Sequence, residues 1–376
     1  MVPPPCTLIR RIPPMTTSIS HVKTDHYLIP LPQVLEDSMH GVMTGFEVVT
    51  ARVTDSDGAT GVGYTFTCGV NGGAIADILR REMTPLVIGR DPSLIEAIWK
   101  DLWWAFHYGG RGGPTVLALS ALDMALWDLK AKRANLPLWR LLGGYDAKVP
   151  CYAGGIDLHL TPEELIAQTH DNIAKGHRAI KMKVGRDLLR EDVAKLAALR
   201  DAFGPDMPLM ADANMKYTVD GAVRAAKAFA PFDLTWFEEP IPPEDPAGHR
   251  RILTEGGIPI ASGENLRSLW EFRTAIEGGV TFPEPDVTNC GGVTPFMKIA
   301  RLAEAFHLPV TSHGAHDITV QLLAACPNRS YLEAHGFGLE NYIETPLQIV
   351  DGHAIAPDRP GHGVAFDWEH LDTLRV

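Results

Sequence analysis

From about Ile19 to Thr67 apolar and polar residues alternate with the period of two that a half-buried strand shows, first in HYLIPL and then in FEVVTARVTDSDGATGVGYTFT, where Asp57 and Gly58 supply a hairpin turn. The pattern predicts a small meander. Helical spacing follows over Ile75 to Arg81, Leu94 to Trp104 and Thr115 to Ala134, with Leu119, Leu122, Leu126 and Leu129 on one face. Residues 1–145 therefore read as an α+β domain. Leu31 to Gly45, Cys68 to Gly73 and Gly109 to Gly113 carry Gly, Asp, Ser and Met without a period, and are predicted to be loops free to move.

After Gly144 short apolar strands recur at Val149–Ala153, Ala179–Val184, Leu209–Asp212, Leu234–Glu238, Ile258–Ser262, Asp286–Asn289, Val310–His313 and Tyr331–Glu333, with helices between them. The first of these helices is bounded plainly. Thr161 is its N-cap, Pro162 its first position, Glu164 the partner in a capping box, and Gly176 its end. Eight strands alternating with helices predict a parallel barrel over residues 146–338. The last strand is followed by PLQIVDGHAIAPDRPGHG instead of an eighth amphipathic helix, so residues 339–376 are expected to pack back on the N-terminal domain.

Charge and composition narrow the function. The 376 residues include 34 Lys+Arg against 46 Asp+Glu, a net charge of −12, and no basic run longer than a pair. That is no footprint for nucleic acid or for an anionic membrane, and neither partner is expected. No uncharged apolar stretch reaches the length of a membrane span, and MVPPPCTLIRRIPP lacks the apolar core of a secretory signal, so a soluble, cytoplasmic protein is expected. Cys6, Cys68, Cys151, Cys290 and Cys326 form no CxxC pair and are read as reduced, packing residues. Gly109–Gly113 lacks the GK[ST] of a phosphate-binding loop.

Polar residues stand where barrel strands should be apolar, each at or near the C-terminal end of its strand: Lys181 and Lys183, then Asp212, Glu238, Glu264, Asp286, His313 and Glu333. From Lys183 onward the steps are 29, 26, 26, 22, 27 and 20 residues, about one βα unit each, so successive strands deliver these side chains to one mouth of the barrel. Period-two geometry points Lys181 and Lys183 the same way as Ala179, and pairs Asp212 with Asn214, Trp236 with Glu238 and Thr311 with His313. Three carboxylates on adjacent strands with no Cys or His among them make an all-oxygen site, which favours Mg²⁺ over Zn²⁺. Asp212, Glu238 and Glu264 are the expected ligands.

The motifs IKMKVG, DAN, WFEEP, SGEN, PDVTNCGG and TSHG, with ALDMALWDLKAKRANLPLWRLLGG and the closing RPGHGV, resemble the enolase superfamily and within it the mandelate racemase subgroup. The resemblance spans nearly the whole chain. It implies an α+β capping domain over a (β/α)7β barrel, one essential Mg²⁺, and removal of the proton α to a substrate carboxylate. It also assigns roles. Lys183 is the base on one face, its pKa lowered by Lys181 and the metal. Lys181 helps neutralise the carboxylate, Asp286 orients His313 as the second base, and Glu333 is a protonated acid donating to the enediolate or a structural ion pair.

Two opposed bases allow inversion of the α-carbon or expulsion of a β-oxygen. The capping loops are expected to decide, and their side chains His40, Asp37, Thr65, Tyr108 and Arg111 suit hydroxyls better than an aryl ring. His40, Arg111 and Tyr108, with Asn214, are the candidate substrate contacts; His40 and His107 are equally well read as surface or packing residues. LEDSMHG, GYTFTCG, HYGGRGG and AGGID look most like the sugar-acid members, the acid-sugar dehydratases and anhydrogalactonate cycloisomerases. The expected function is β-elimination on a polyhydroxy acid, with His313 as acid to the leaving oxygen. The alternatives are a cycloisomerase of an anhydro sugar acid, a racemase of a 2-hydroxy acid, and a non-catalytic sugar-acid binding protein, and a homo-oligomer is expected.

Overall fold

In the computed structural model, which describes residues 17–335 and 337–376, the chain opens with an antiparallel sheet of β1 (Ile19–Asp37), β2 (Gly41–Asp55) and β3 (Thr60–Thr67). The segment expected to be a loop from Leu31 to Gly45 is narrower than its composition suggests. After a register shift between Pro30 and Leu35, β1 pairs again with β2 as far as Asp37↔Gly41, and the turn is reduced to Ser38–His40. Helix Pro114–Arg133 lies across this sheet so closely that a Cβ on Gly63 would stand 2.1 Å from the carbonyl oxygen of Ala121. Only glycine permits that approach.

The barrel strands follow as β4 (Lys148–Gly154), β5 (Ile180–Lys183), β6 (Leu209–Asp212), β7 (Phe237–Glu238), β8 (Ile260–Ser262), β9 (Phe282–Pro283), β10 (Val310–Ser312) and β11 (Arg329–Ala334). All are parallel, in the order β10-β11-β4-β5-β6-β7-β8-β9. Between β9 and β10 the one pairing among the described residues is the single bridge Asp286↔His313. The predicted capping box is present: Thr161 Oγ1 accepts from Glu164 N, and Glu164 Oε2 accepts from Thr161 N.

One strand is displaced from its predicted place. After the bridge residue Asp286 the chain turns over 287–290 and β9 lies at Phe282–Pro283, because the Asp286 carboxylate accepts from the Thr288 amide at 2.7 Å and hydroxyl at 2.6 Å and its carbonyl accepts from Cys290 N at 2.8 Å. Local side-chain bonding of this kind outcompetes a ladder.

The C-terminal segment adds β12 (Gln348–Val350) and β13 (His353–Ile355), which pairs antiparallel with β4. It then crosses to the N-terminal sheet, where Tyr27 donates to Asp372 at 3.0 Å and Val376 N to the carbonyl of His26 at 3.0 Å. No helix among the described residues is long and apolar enough to cross a membrane.

Candidate functional site

Register sets the site. Lys181 lies beside Met210 and Lys183 beside Asp212 on β5 and β6, and Asp212 lies beside Glu238 on β6 and β7. Glu264 follows β8 by one glycine. One carboxylate oxygen from each of Asp212, Glu238 and Glu264 lies within 4.8 Å of the others, and all three residues are buried. Oε2 of Glu264 is buried without a hydrogen-bond partner. A buried, incompletely satisfied set of three carboxylates fits a hard divalent cation with oxygen ligands, of which Mg²⁺ is the usual example.

The lysines answer part of that negative charge. Lys181 Nζ bonds Glu238, lies 2.8 Å from Glu333 Oε1 and sits 5.3 Å from the centre of the Tyr152 ring. Lys183 Nζ bonds Asp212. Burial pushes both ammonium pKa values down, but the surrounding carboxylates outweigh it and both are raised. The lowering expected from sequence takes Lys181 and the metal together; among the protein's own groups alone, Asp212 and Glu264 attract the Lys183 proton more strongly than Lys181 repels it. Burial and the neighbouring carboxylates together lift Glu238 to about 8, despite Lys181.

Across the mouth His313 Nδ1 lies 2.8 Å from Asp286 Oδ2, and Nε2 lies 3.6 Å from Glu264 Oε2 and 3.8 Å from Glu333 Oε2. Burial works against the imidazolium, yet Glu264, Glu333 and Asp286 raise its pKa well above the ordinary histidine value. Of the two readings of Glu333, the geometry shows the ion pair, with Lys181 at 2.8 Å. Against burial, Lys181 and His313 hold it well below the usual carboxylate range, and its Oε2 accepts from Gly314 N at 3.1 Å. Gly154 makes room for it, since a Cβ there would stand 2.6 Å from Glu333 Oε1.

A cavity of about 330 Å³ opens over these groups, lined by Lys183, Asn214, Glu264 and His313 from the barrel and by Asp37, His40, Phe66 and Cys68 from the N-terminal domain. That is within the range of small-ligand pockets. His40 and Asn214 are therefore brought to the site as expected. Arg111 and Tyr108 are not: Arg111 stacks on Trp103 and Trp104 at 4.8 and 5.1 Å, and Tyr108 is 97% exposed. Thr65 is buried against the Thr288 carbonyl, and His107 lies 2.7 Å from that of Trp104. Cys151, Cys290 and Cys326 are buried, whereas Cys68 is exposed in the cavity wall; Cys6 lies outside the described residues.

Three participants were not among the expected site residues. Asp157, buried after β4, accepts from the Lys183 amide at 2.8 Å. Trp236 donates its indole N–H to Glu238 Oε2 at 2.8 Å. Glu284, fully buried two residues before Asp286, takes the Tyr152 hydroxyl at 3.3 Å on one oxygen and leaves the other unpartnered. A period-two reading carried back from Asp286 would have found it.

An amine and an imidazole lining one cavity beside three clustered carboxylates suit the movement of a proton at a carbon that a metal-bound carboxylate makes acidic, and the fold is that of enzymes that perform such chemistry. Residues 14–143 match the model of the mandelate racemase / muconate lactonizing enzyme N-terminal domain, and 164–370 that of the enolase C-terminal domain-like family. The chain belongs to this family, the mandelate racemase group of the enolase superfamily. It is 55% identical to the 3,6-anhydro-alpha-L-galactonate cycloisomerase of Streptomyces coelicolor, over 95% of this chain and 99% of that one. It is 35% identical to the L-talarate/galactarate dehydratase of Salmonella typhimurium, over 93% and 88%. Among solved structures it resembles a racemase from Streptomyces coelicolor with bound magnesium (TM-score 0.93, 54% identity, 95% and 100% covered). It also resembles an L-talarate dehydratase from Polaromonas sp. complexed with Mg and L-glucarate (TM-score 0.91, 34% identity, 96% and 98% covered).

Proposed function

We propose that the protein is a Mg²⁺-dependent enzyme that removes the proton α to the carboxylate of a sugar acid and then eliminates the β-oxygen. The observation that carries this reading is the opposition of Lys183 and His313 over the triad Asp212, Glu238 and Glu264. Mg²⁺ held by that triad supplies the positive charge against which negative charge grows on the substrate carboxylate. Lys183 Nζ takes the α-proton on one face. Lys181, flanked by Glu238 and Glu333, offsets charge on the carboxylate oxygens. His313, fixed by Asp286, faces the carbon from the other side and returns a proton.

Asn214, Asn265, Asn289 and Arg267 line the cavity beyond these groups, which suits hydroxyls, and the solved relative with L-glucarate supports an acid of that kind. A cyclic ether as the β-oxygen is favoured by a second observation. Met43, Phe66, Leu117 and Phe337 also line the cavity and offer apolar surface to the C–H face of an anhydro ring, and the relative at 55% identity is named for such a substrate. The reading includes a cytoplasmic homo-oligomer without nucleic-acid or membrane partners, in keeping with the net charge of −12.

Proton NMR in deuterium oxide with Mg²⁺ and either galactarate or 3,6-anhydro-L-galactonate tests the function. Formation of a 2-keto-3-deoxy acid is expected. Deuterium at an inverted, otherwise intact α-carbon would establish a racemase, and binding of both acids with neither exchange nor product would establish a binding protein.

A further inference from the structure

The active-site cavity holds a second Asp–His pair that the reaction as described does not use. His40 Nδ1 lies 2.8 Å from Asp37 Oδ2, the same atoms at the same separation as in His313 and Asp286. Asp37 is 5% exposed, and its other oxygen accepts from the amides of Met39 at 2.8 Å and His40 at 2.7 Å, so the turn is built around this carboxylate. With Nδ1 so engaged, Nε2 is the free nitrogen of a ring that lines the cavity.

The turn is also docked, and on one particular side. Ser38 Oγ donates to the carbonyl of Ala213 at 2.7 Å, between Asp212 and Asn214. Glu36 pairs with Asp157, whose carboxylate takes the Lys183 amide. His40 is therefore fixed over the ends of β5 and β6, the lysine's side of the mouth. His313 stands across from it with Nε2 turned to Glu264 and Glu333, the end where a carboxylate would be held. One imidazole facing Lys183 across the α-carbon cannot also reach an oxygen that leaves on the lysine's face.

We propose that Asp37 and His40 form a second acid–base dyad of this active site, with His40 Nε2 the acid that protonates the β-oxygen as it departs on the face from which Lys183 takes the α-proton. The inference rests on the β-elimination reading and moves to His40 the acid role expected of His313. The unprotonated Lys183 amine takes the proton from C2, and the C–H electron pair becomes the C2–C3 double bond as the C3–O bond breaks. The oxygen keeps that bond's electrons and takes the proton from His40, leaving a hydroxyl and a neutral imidazole. The enol then gains a proton at C3, from the His313 side, and loses one from its C2 hydroxyl. Proton exchange with solvent returns Lys183, His40 and His313 to their starting states.

The test uses the Mg²⁺-loaded enzyme and two probes, 3,6-anhydro-L-galactonate and the 3-chloro-3-deoxy analogue of the open-chain acid, whose chloride leaves without a proton. Wild-type enzyme must open the ether; if it opens neither this acid nor dehydrates galactarate, the proposed function fails and this inference with it. Given wild-type turnover, His40→Asn is expected to lower ether opening at least about 100-fold, the contribution of a general acid. Its α-proton exchange and chloride release should stay within about threefold of wild type, and Asp37→Asn should shift the same ratio in the same direction. Ether opening by His40→Asn within about threefold of wild type overturns the proposal while sparing the function. So does a parallel loss of ether opening, exchange and chloride release, which would make His40 an orienting group.

Discussion

At the scale of single residues the metal site is held from below as well as by its ligands. The Trp236 indole N–H fixes one Glu238 oxygen while Lys181 takes the other, and the ring lies edge-on to Tyr152 at 5.5 Å, so Glu238 has little freedom to rotate. Groups that orient a ligand typically contribute 10- to 100-fold in metal affinity. Trp236→Phe should therefore weaken Mg²⁺ binding by about that factor with the fold intact, as titration calorimetry would read; unchanged affinity would show that the indole only packs. Asp212→Asn or Glu264→Gln removes a donor outright, and turnover should be lost at Mg²⁺ concentrations that saturate wild type. The three carboxylates were legible as a cluster because they recur with the βα period, and a salt bridge has no reason to keep that beat. Arg111 and Tyr108 were misplaced because a glycine-rich loop has no period to aim its side chains, and the faces of Trp103 and Trp104 hold Arg111 where sequence reasoning put a substrate.

At the scale of elements, helix Pro114–Arg133 links the two sheets through buried carboxylates. Asp123 accepts from the amide and hydroxyl of Thr294 at 2.9 and 2.7 Å at the start of helix Val293–Ala305, and Asp128 accepts from Val62 N and His362 N. Burial lifts Asp123 to about 7 in spite of the two Thr294 bonds. A folded-state value raised above the unfolded one means that the native protein holds the extra proton. The associated stability is full below pH about 4 and is lost as pH rises to about 7, a swing on the order of 4 kcal/mol. Denaturant titrations at pH 5 and pH 8 should show a smaller difference for Asp123→Asn than for wild type, and an equal difference would mean that the carboxylate is already ionised at pH 5. The alternation and helical spacing that gave these elements say nothing of such links. Asp123 and Asp128 stand amid leucines and alanines, where an acid reads only as a break in the apolar face.

At the scale of the whole molecule, the tail joins barrel to cap. Beyond the bonds of Tyr27 and Val376, Arg52 lies over the Trp368 ring at 4.1 Å, and Phe366 and Leu371 are buried. Deleting residues 367–376 uncovers apolar surface and unpairs Tyr27 at once. The melting temperature should fall by several degrees, as a loss of a few kcal/mol implies, while Tyr27→Phe alone should cost about 1 kcal/mol. Scanning calorimetry on both chains would measure this, and an unaltered melting temperature in the deletion would mean that the tail is only appended. The missing eighth helix announced this arrangement in sequence, since a Pro- and Gly-rich stretch cannot cover a barrel strand as a helix does. The β13 pairing with β4 was not legible, because three-residue strands carry too little pattern.

The wall of the barrel is not equally firm all the way round. Lys183 belongs to a strand laced to its neighbour at four successive positions, whereas His313 stands at a slit closed by one rung, and that rung is its own contact with Asp286. The mouth thus works like a vice with one jaw cast into the frame and one on a spring. On the proposed reaction, the stiff jaw sets where the reacting carbon sits and the compliant one follows the carbon as it flattens and re-forms. Amide hydrogen exchange at Ser312 and His313 should accordingly outpace that at Met182 and Lys183, and Asp286→Asn should widen the gap by freeing the spring.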